Sequence, residues 1–387
     1  MWPAQSATEP YRKRRDVLFS FYMLILAAML IWVFNTHGPV AIRHFFGPLP
    51  FEAPVDFLLF LAATLAAMLL HEAGHLLVSL VLGFRILGGS IGPLQIQRLP
   101  GDWKLTWSLK KLFTGSVSAV PRGMNYWRQA MIAVVAAGPL TTLGAGLTAA
   151  NFHPAGHAVI LLQISFVQVS MVLFLLGLIP NSRQARRQND ARLLLDLTLR
   201  NQGAEEMELR VLLKQYVLSG ERPQDYSRAL LVRLAAFRGR SESQLLFALA
   251  MANWAMDSEQ IELADAWDMR ALGLVSECGA PIQNSALASS ACFDVIFRED
   301  MESAREKFAL VDCSALFPTS FAQRASAAKE IAAGHLHRAP RHILRAQYAL
   351  PRGNGYYALE RFLLDRLHMK VLTASAARDR TFKAASA

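Results

Sequence analysis

Met68-Leu69-Leu70-His71-Glu72-Ala73-Gly74-His75-Leu76-Leu77 sets three titratable side chains inside an apolar run at residues 57–84. A bilayer core takes about 20 apolar residues of helix, so this run is long enough to cross one. On a helix, His71 and His75 share a face and can bind one metal ion. An ionisable residue in mid-span costs at least ~2.5–3.5 kcal/mol on insertion scales. Three in one turn need a compensating partner, and a metal supplies one. A structural polar cluster between helices is the plainer alternative. Glu72 stands beside the imidazoles, placed to take a proton from a water whose pKa zinc lowers to about 7.

Three more runs are long enough to cross, at 17–34, 130–150 and 157–180. The first follows Arg12, Lys13, Arg14 and Arg15. It lacks a small-residue cleavage site and reads as an uncleaved anchor. Residues 1–180 carry 12 basic and 6 acidic side chains, whereas 181–387 carry 28 and 24. The first half therefore reads as membrane and the second as a soluble domain. This distribution excludes a disordered chain and argues against a wholly soluble one. The net charge of +10 suits anionic lipid headgroups, and no nucleic-acid module is visible. Basic residues cluster before the first span, in the 85–129 loop and after residue 181, while the 35–56 and 151–156 loops hold only Arg43. The positive-inside rule then predicts a cytoplasmic N-terminus, four crossings and a cytoplasmic second half.

In the 85–129 loop, Leu94-Gln95-Ile96-Gln97 alternates, as does Trp103-Lys104-Leu105-Thr106-Trp107-Ser108-Leu109, around a Pro100-Gly101-Asp102 turn. This reads as a β-hairpin at the membrane edge or as an amphipathic connector. Gly138, Gly144 and Gly146 suggest close helix packing. His37, His44, His153 and His157 read as interfacial. Asp190, among arginines just past the last span, reads on composition as a solvated juxtamembrane acid or as a metal ligand.

Two histidines leave zinc short of a third protein ligand. Here the chain resembles the site-2 protease family of intramembrane zinc metalloproteases over about residues 57–195. The resemblance rests on His71-Glu72-Ala73-Gly74-His75 within a span and on the hairpin-like stretch after it. Ala137-Gly138-Pro139-Leu140 and Leu178-Ile179-Pro180 followed by Asn189-Asp190-Ala191-Arg192 complete it. The family has an Asp-Gly motif after an Asn-x-x-Pro break, and its Asp is the third zinc ligand. The resemblance therefore implies Asp190 as that ligand, with Asp196 the fallback. It also implies that the 94–109 hairpin pairs with substrate as an added strand. The chain departs from the pattern at Gly177, where an Asn is usual, at Thr142, where an Asn commonly follows Gly-Pro, and at Ala191, which replaces the Gly. Ala takes positive φ less readily than Gly.

From about 203 onward, apolar residues recur at three- and four-residue spacing. Ala264, Ala304 and Ala339 mark a loose repeat near the 34-residue period of tetratricopeptide hairpins. A non-repeating helical domain is the alternative. His335, His337 and His342 read as a solvated helix face. Cys278, Cys292 and Cys313 are sparse and odd in number, which suits a reducing compartment. The tail after about 373 is expected to be disordered.

The expected fold class is mainly α. A transmembrane metalloprotease domain (1–200), with about four spans and a small β-hairpin at the membrane edge, precedes an all-α soluble domain (203–387). The expected activity is a multi-pass membrane zinc endopeptidase that cleaves membrane-protein substrates in or near their transmembrane segments. His71, His75 and Asp190 would hold Zn2+, and Glu72 would act as general base. The bilayer and a cytosolic protein at the helical domain are the expected partners. The alternative is a catalytically silent scaffold that recruits partners through its helical half. A metal-dependent transporter or sensor fits less well, because the hydropathy shows no inverted repeat.

Overall fold

The computed structural model describes residues 54–99, 102–108, 115–153, 155–181, 189–351 and 355–385. The expected span at 17–34, with its basic cluster, lies outside the described residues, as do His37 and His44. The chain divides into two compact units. One comprises Met1–Ile96 and Leu105–Glu205, the other Gln97–Lys104 and Glu206–Ala387.

Among the described residues, the first unit contains three helices long and apolar enough to cross a membrane: α1 (Pro54–Val81), α2 (Trp127–Ala150) and α3 (His157–Leu178). All three pack on one another. Helix α1 buries Glu72, Gly74 and His75 while leaving Phe57, Leu58, Leu77, Leu80 and Val81 exposed. That polarity is reversed from a water-soluble helix and fits one whose outer surface meets lipid. A Cβ on Gly74 would lie 2.7 Å from the Ala137 carbonyl oxygen, so glycine permits the close α1–α2 crossing. Helix α3 ends where Ile179 turns extended ahead of Pro180, which cannot continue the ladder.

Between α1 and α2 lies a four-stranded sheet of β1 (Arg85–Ile91), β2 (Leu94–Leu99), β3 (Asp102–Trp107) and β4 (Gly115–Val120), in the order β3-β2-β1-β4. Strands β1 and β4 are antiparallel, pairing Arg85 with Val120 and Ile91 with Gly115. Strands β2 and β3 carry the alternating stretches and are sheet neighbours. Strands β1 and β4, rich in glycine and serine, add to what the alternation indicates.

After α3 comes a short amphipathic helix, α4 (Asp190–Leu199). Then follow α5 (Gln202–Ser219), α6 (Arg228–Ala236), α7 (Ser241–Asp257), α8 (Ile261–Leu272), α9 (Ala280–Phe293) and α10 (Met301–Ala309). The chain continues as α11 (Thr319–Ala332), α12 (Ala339–Ala349) and α13 (Ala358–Ala385). Helices α7, α9 and α11 begin 39 residues apart, and each is followed by a shorter helix that packs on it. Ala264, Ala304 and Ala339 fall in the first turn of α8, α10 and α12, and each is fully buried. Five residues before each stands a left-handed residue: Glu259, Glu299 and Gly334. The same turn therefore recurs three times, and a small side chain lets each hairpin close. The tail is not disordered up to Ala385: α13 runs through it, and its many alanines are strong helix formers.

Candidate metal centre

His71 and His75 lie one turn apart on α1, and Asp190 opens α4. Among the described residues they form the one group of His, Cys, Asp or Glu side chains close enough to share a metal. Their candidate ligand atoms all lie within 4.8 Å of one another. Asp190 Oδ2 is 2.9 Å from His71 Nε2 and 3.4 Å from His75 Nε2. The imidazoles meet edge to face, with centroids 4.9 Å apart.

The partners of the far ring nitrogens decide which atoms face inward. His75 Nδ1 lies 2.7 Å from the Val134 carbonyl, which only accepts, so that nitrogen carries the proton. His71 Nδ1 lies 2.9 Å from Thr142 Oγ1. The Thr142 hydroxyl already donates to the Gly138 carbonyl at 2.8 Å, so it accepts from His71. Both Nε2 atoms are then left as lone pairs facing the Asp190 carboxylate. Three converging lone-pair donors repel unless a cation sits among them.

Tetrahedral zinc with ligands at 2.0–2.2 Å separates them by about 3.3–3.6 Å. Of the two contacts to Asp190, the one at 3.4 Å falls in that range and the one at 2.9 Å lies below it, and two imidazoles with one carboxylate form a normal zinc donor set with a fourth position open. The residues therefore fit the metal. A proton is the other cation that can sit there.

Asp190 reaches the site because Asn189 fixes the start of α4. Asn189 Nδ2 donates to the Leu176 and Ile179 carbonyls, and its Oδ1 accepts from Arg192 N at 3.1 Å as the N-cap. Asn181 and Asn189 also exchange backbone-to-side-chain hydrogen bonds across the base of the connection. Ala191, next in line, lies within the helix and needs no positive φ. Asp196 does not join the cluster. It is buried and held by Arg192 at 2.9 Å and Asn201 at 2.6 Å.

Glu72 is buried, and its Oε2 has no hydrogen-bond partner. A buried, unsatisfied carboxylate oxygen is costly, so its presence calls for a role. Gly115, at the start of β4, covers it: a Cβ there would lie 2.2 Å from Glu72 Oε1. A Cβ on Gly138 would lie 2.3 Å from His75 Nε2 and 2.8 Å from His71 Nε2. Gly138 thus makes room for the imidazoles as well as for helix packing. Thr142, which the resemblance marked as a departure, holds His71. The Val134 carbonyl and Gly115 carried no sequence signal. His153 and His157 are exposed. His335 pairs with Glu330 and His342 with Gln323, so these histidines have other partners.

Compared with protein-family models, curated proteins and solved structures, the chain gives no match.

Proposed function

We propose that this chain is a multi-pass membrane zinc endopeptidase similar to the site-2 proteases, hydrolysing peptide bonds in or near transmembrane segments. The observation that carries this reading is the convergence of His71, His75 and Asp190 beside the unpartnered carboxylate of Glu72. The two histidines and Asp190 would hold the zinc. Zinc bound there would polarise the scissile carbonyl and lower the pKa of the attacking water. Glu72 takes the proton from that water and returns it to the leaving amine. Thr142 and the Val134 carbonyl keep both Nε2 lone pairs turned inward.

A substrate helix hides its carbonyls in its own hydrogen bonds, so it must be held extended. The resemblance implies a hairpin at 94–109 for this task, a stretch that contributes the neighbouring strands β2 and β3. Strands β3 and β4 are the two edges of the described sheet, and of these β4 carries Gly115 over Glu72. We therefore assign substrate strand addition to the β4 edge. With the span at 17–34 the chain crosses four times. The N-terminus and residues 181–387 then lie in the cytoplasm, with the metal near that face.

The test is purified protein assayed on a transmembrane reporter. Glu72→Gln should keep its zinc and lose cleavage, while His71→Ala loses both. Undiminished cleavage by Glu72→Gln refutes the mechanism. A wild-type protein that binds no zinc refutes the metal centre.

A further inference from the structure

Helix α12 has two unlike faces. Ala339, Ile343 and Ala346 are buried, and the helix packs on α11. Opposite them Arg341, Leu344, Arg345 and Tyr348, at i, i+3, i+4 and i+7, form one exposed stripe. Leu344 is 53% exposed and Tyr348 80%. Taken singly, exposed apolar residues need no explanation. These two share their stripe with unneutralised charge. From Ile331 to Leu359 the chain has no Asp or Glu but four arginines, among them Arg338, Arg341 and Arg345. Arg338 approaches Glu330 only to 4.0 Å, and Arg341 and Arg345 make no ion pair among the described residues. The second helices of the two preceding hairpins differ. Helix α8 carries Glu262, Asp265 and Asp268 against Arg270, and α10 carries Glu302 and Glu306 against Arg305 and Lys307. The basic stripe on α12 is therefore not a requirement of the hairpin repeat.

We propose that α12 docks the helical unit on an anionic lipid surface, with its exposed stripe lying in the headgroup layer. Charge and side-chain chemistry select this partner. The two unpaired guanidinium groups meet lipid phosphates and carboxylates without breaking any internal ion pair. Tyr348 presents the amphipathic ring favoured at headgroup level. Leu344 lies between two arginines, whose stems can rest on apolar surface while their charged heads stay among the headgroups. One leucine and one tyrosine are too little apolar area to hold a membrane alone, so the charge is needed as a second signal. A single-stranded nucleic acid would use the arginines and stack on Tyr348, but it gains nothing comparable from Leu344. Helices α1, α2 and α3 of the same chain are long and apolar enough to cross a membrane, which keeps the helical unit at high effective concentration of lipid. The stripe lies wholly in the helical unit and does not depend on the metal centre.

The test uses the full chain held in phosphatidylcholine nanodiscs and co-sedimentation with larger vesicles. The vesicles are of phosphatidylcholine alone, or of phosphatidylcholine and phosphatidylserine mixed about two to one. The chain should sediment with the mixed vesicles and not with the neutral ones. Arg341→Gln combined with Arg345→Gln should weaken binding about 25-fold, since each arginine near such a surface contributes about fivefold. Leu344→Ser combined with Tyr348→Ser should weaken it at least about threefold. All four side chains are exposed, so circular dichroism should stay unchanged, and if one double variant misfolds the other decides. Equal binding to neutral vesicles, undiminished binding in a folded double variant, or displacement of the mixed vesicles by single-stranded RNA at equal phosphate concentration overturns the proposal. The readout needs neither zinc nor cleavage, so it fails or succeeds separately from the metal centre.

Discussion

Thr142→Val removes a hydroxyl and almost no volume. Thr142 is fully buried, and its oxygen is the partner of His71 Nδ1 at 2.9 Å. Valine leaves that N–H without an acceptor, which costs about 1–3 kcal/mol for a buried group. The ring can then turn, or move its proton to Nε2 and lose the inward lone pair. Either outcome penalises the geometry that binds metal. At 1.4 kcal/mol per tenfold, the penalty corresponds to about 5–150-fold in zinc affinity, in line with the 10–100-fold typical of losing such a partner. The assay is competition with a chromophoric chelator on protein purified in detergent. Thr142→Ser keeps the hydroxyl and should bind zinc close to wild type. If Thr142→Val binds zinc as tightly as wild type, Thr142 does not orient His71 and the lone-pair argument fails.

Gly138→Ala should leave the protein helical by circular dichroism but reduce bound zinc to under about a tenth, because its Cβ would sit 2.3 Å from His75 Nε2. Asp190→Asn should lose zinc. Asp196→Asn should keep it yet unfold more easily by about 3 kcal/mol, since Arg192 loses its buried partner; equal zinc loss in both would reverse the ligand assignment. Burial pushes the Glu206 carboxyl up, but hydrogen bonds from Arg240 and Ser243 outweigh it and hold it below its ordinary value of 4.5. Its folded pKa being depressed, Glu206 contributes stability that is complete above about pH 4.5 and is lost as pH falls toward the folded value. Glu206→Gln should therefore flatten the melting temperature against pH below 4.5, and an unchanged acid limb would count against that pairing. Reporter fusions at residues 152 and 387 should be active only with an extracellular reporter at the first and a cytoplasmic one at the second; the reverse overturns the orientation.

Much of this site is legible in the sequence, because its signals are local. The i and i+4 histidines lie on one helix, and apolar runs of the right length mark α1, α2 and α3. What the sequence hides is mostly non-local or made by the backbone. The Val134 carbonyl has no residue identity to read. Thr142 could be valued only once its hydroxyl was placed against both Gly138 and His71. Gly115 becomes meaningful only when β4 lies over Glu72. The glycine and serine of β1 and β4 have weak strand preference, so periodicity passes over them. Concern over Ala191 came from a motif in which glycine relieves the backbone, and here the residue is helical. In the second unit the alanine repeat was visible, but the three left-handed turns that accompany it were not, because two are occupied by glutamate.

The reciprocal bonds between Asn181 and Asn189 separate two jobs that the chain assigns to neighbouring residues. Asp190 is positioned from the end of α3, so its placement does not depend on what connects the two asparagines. Loop-closure entropy grows only slowly with length, about 0.6 kcal/mol per doubling. The sequence at 182–188, which holds Arg183, Arg186 and Arg187, can thereby change in length and charge. Selection can retune that stretch, and an engineer can insert a tag or a crosslinking residue there, without moving Asp190.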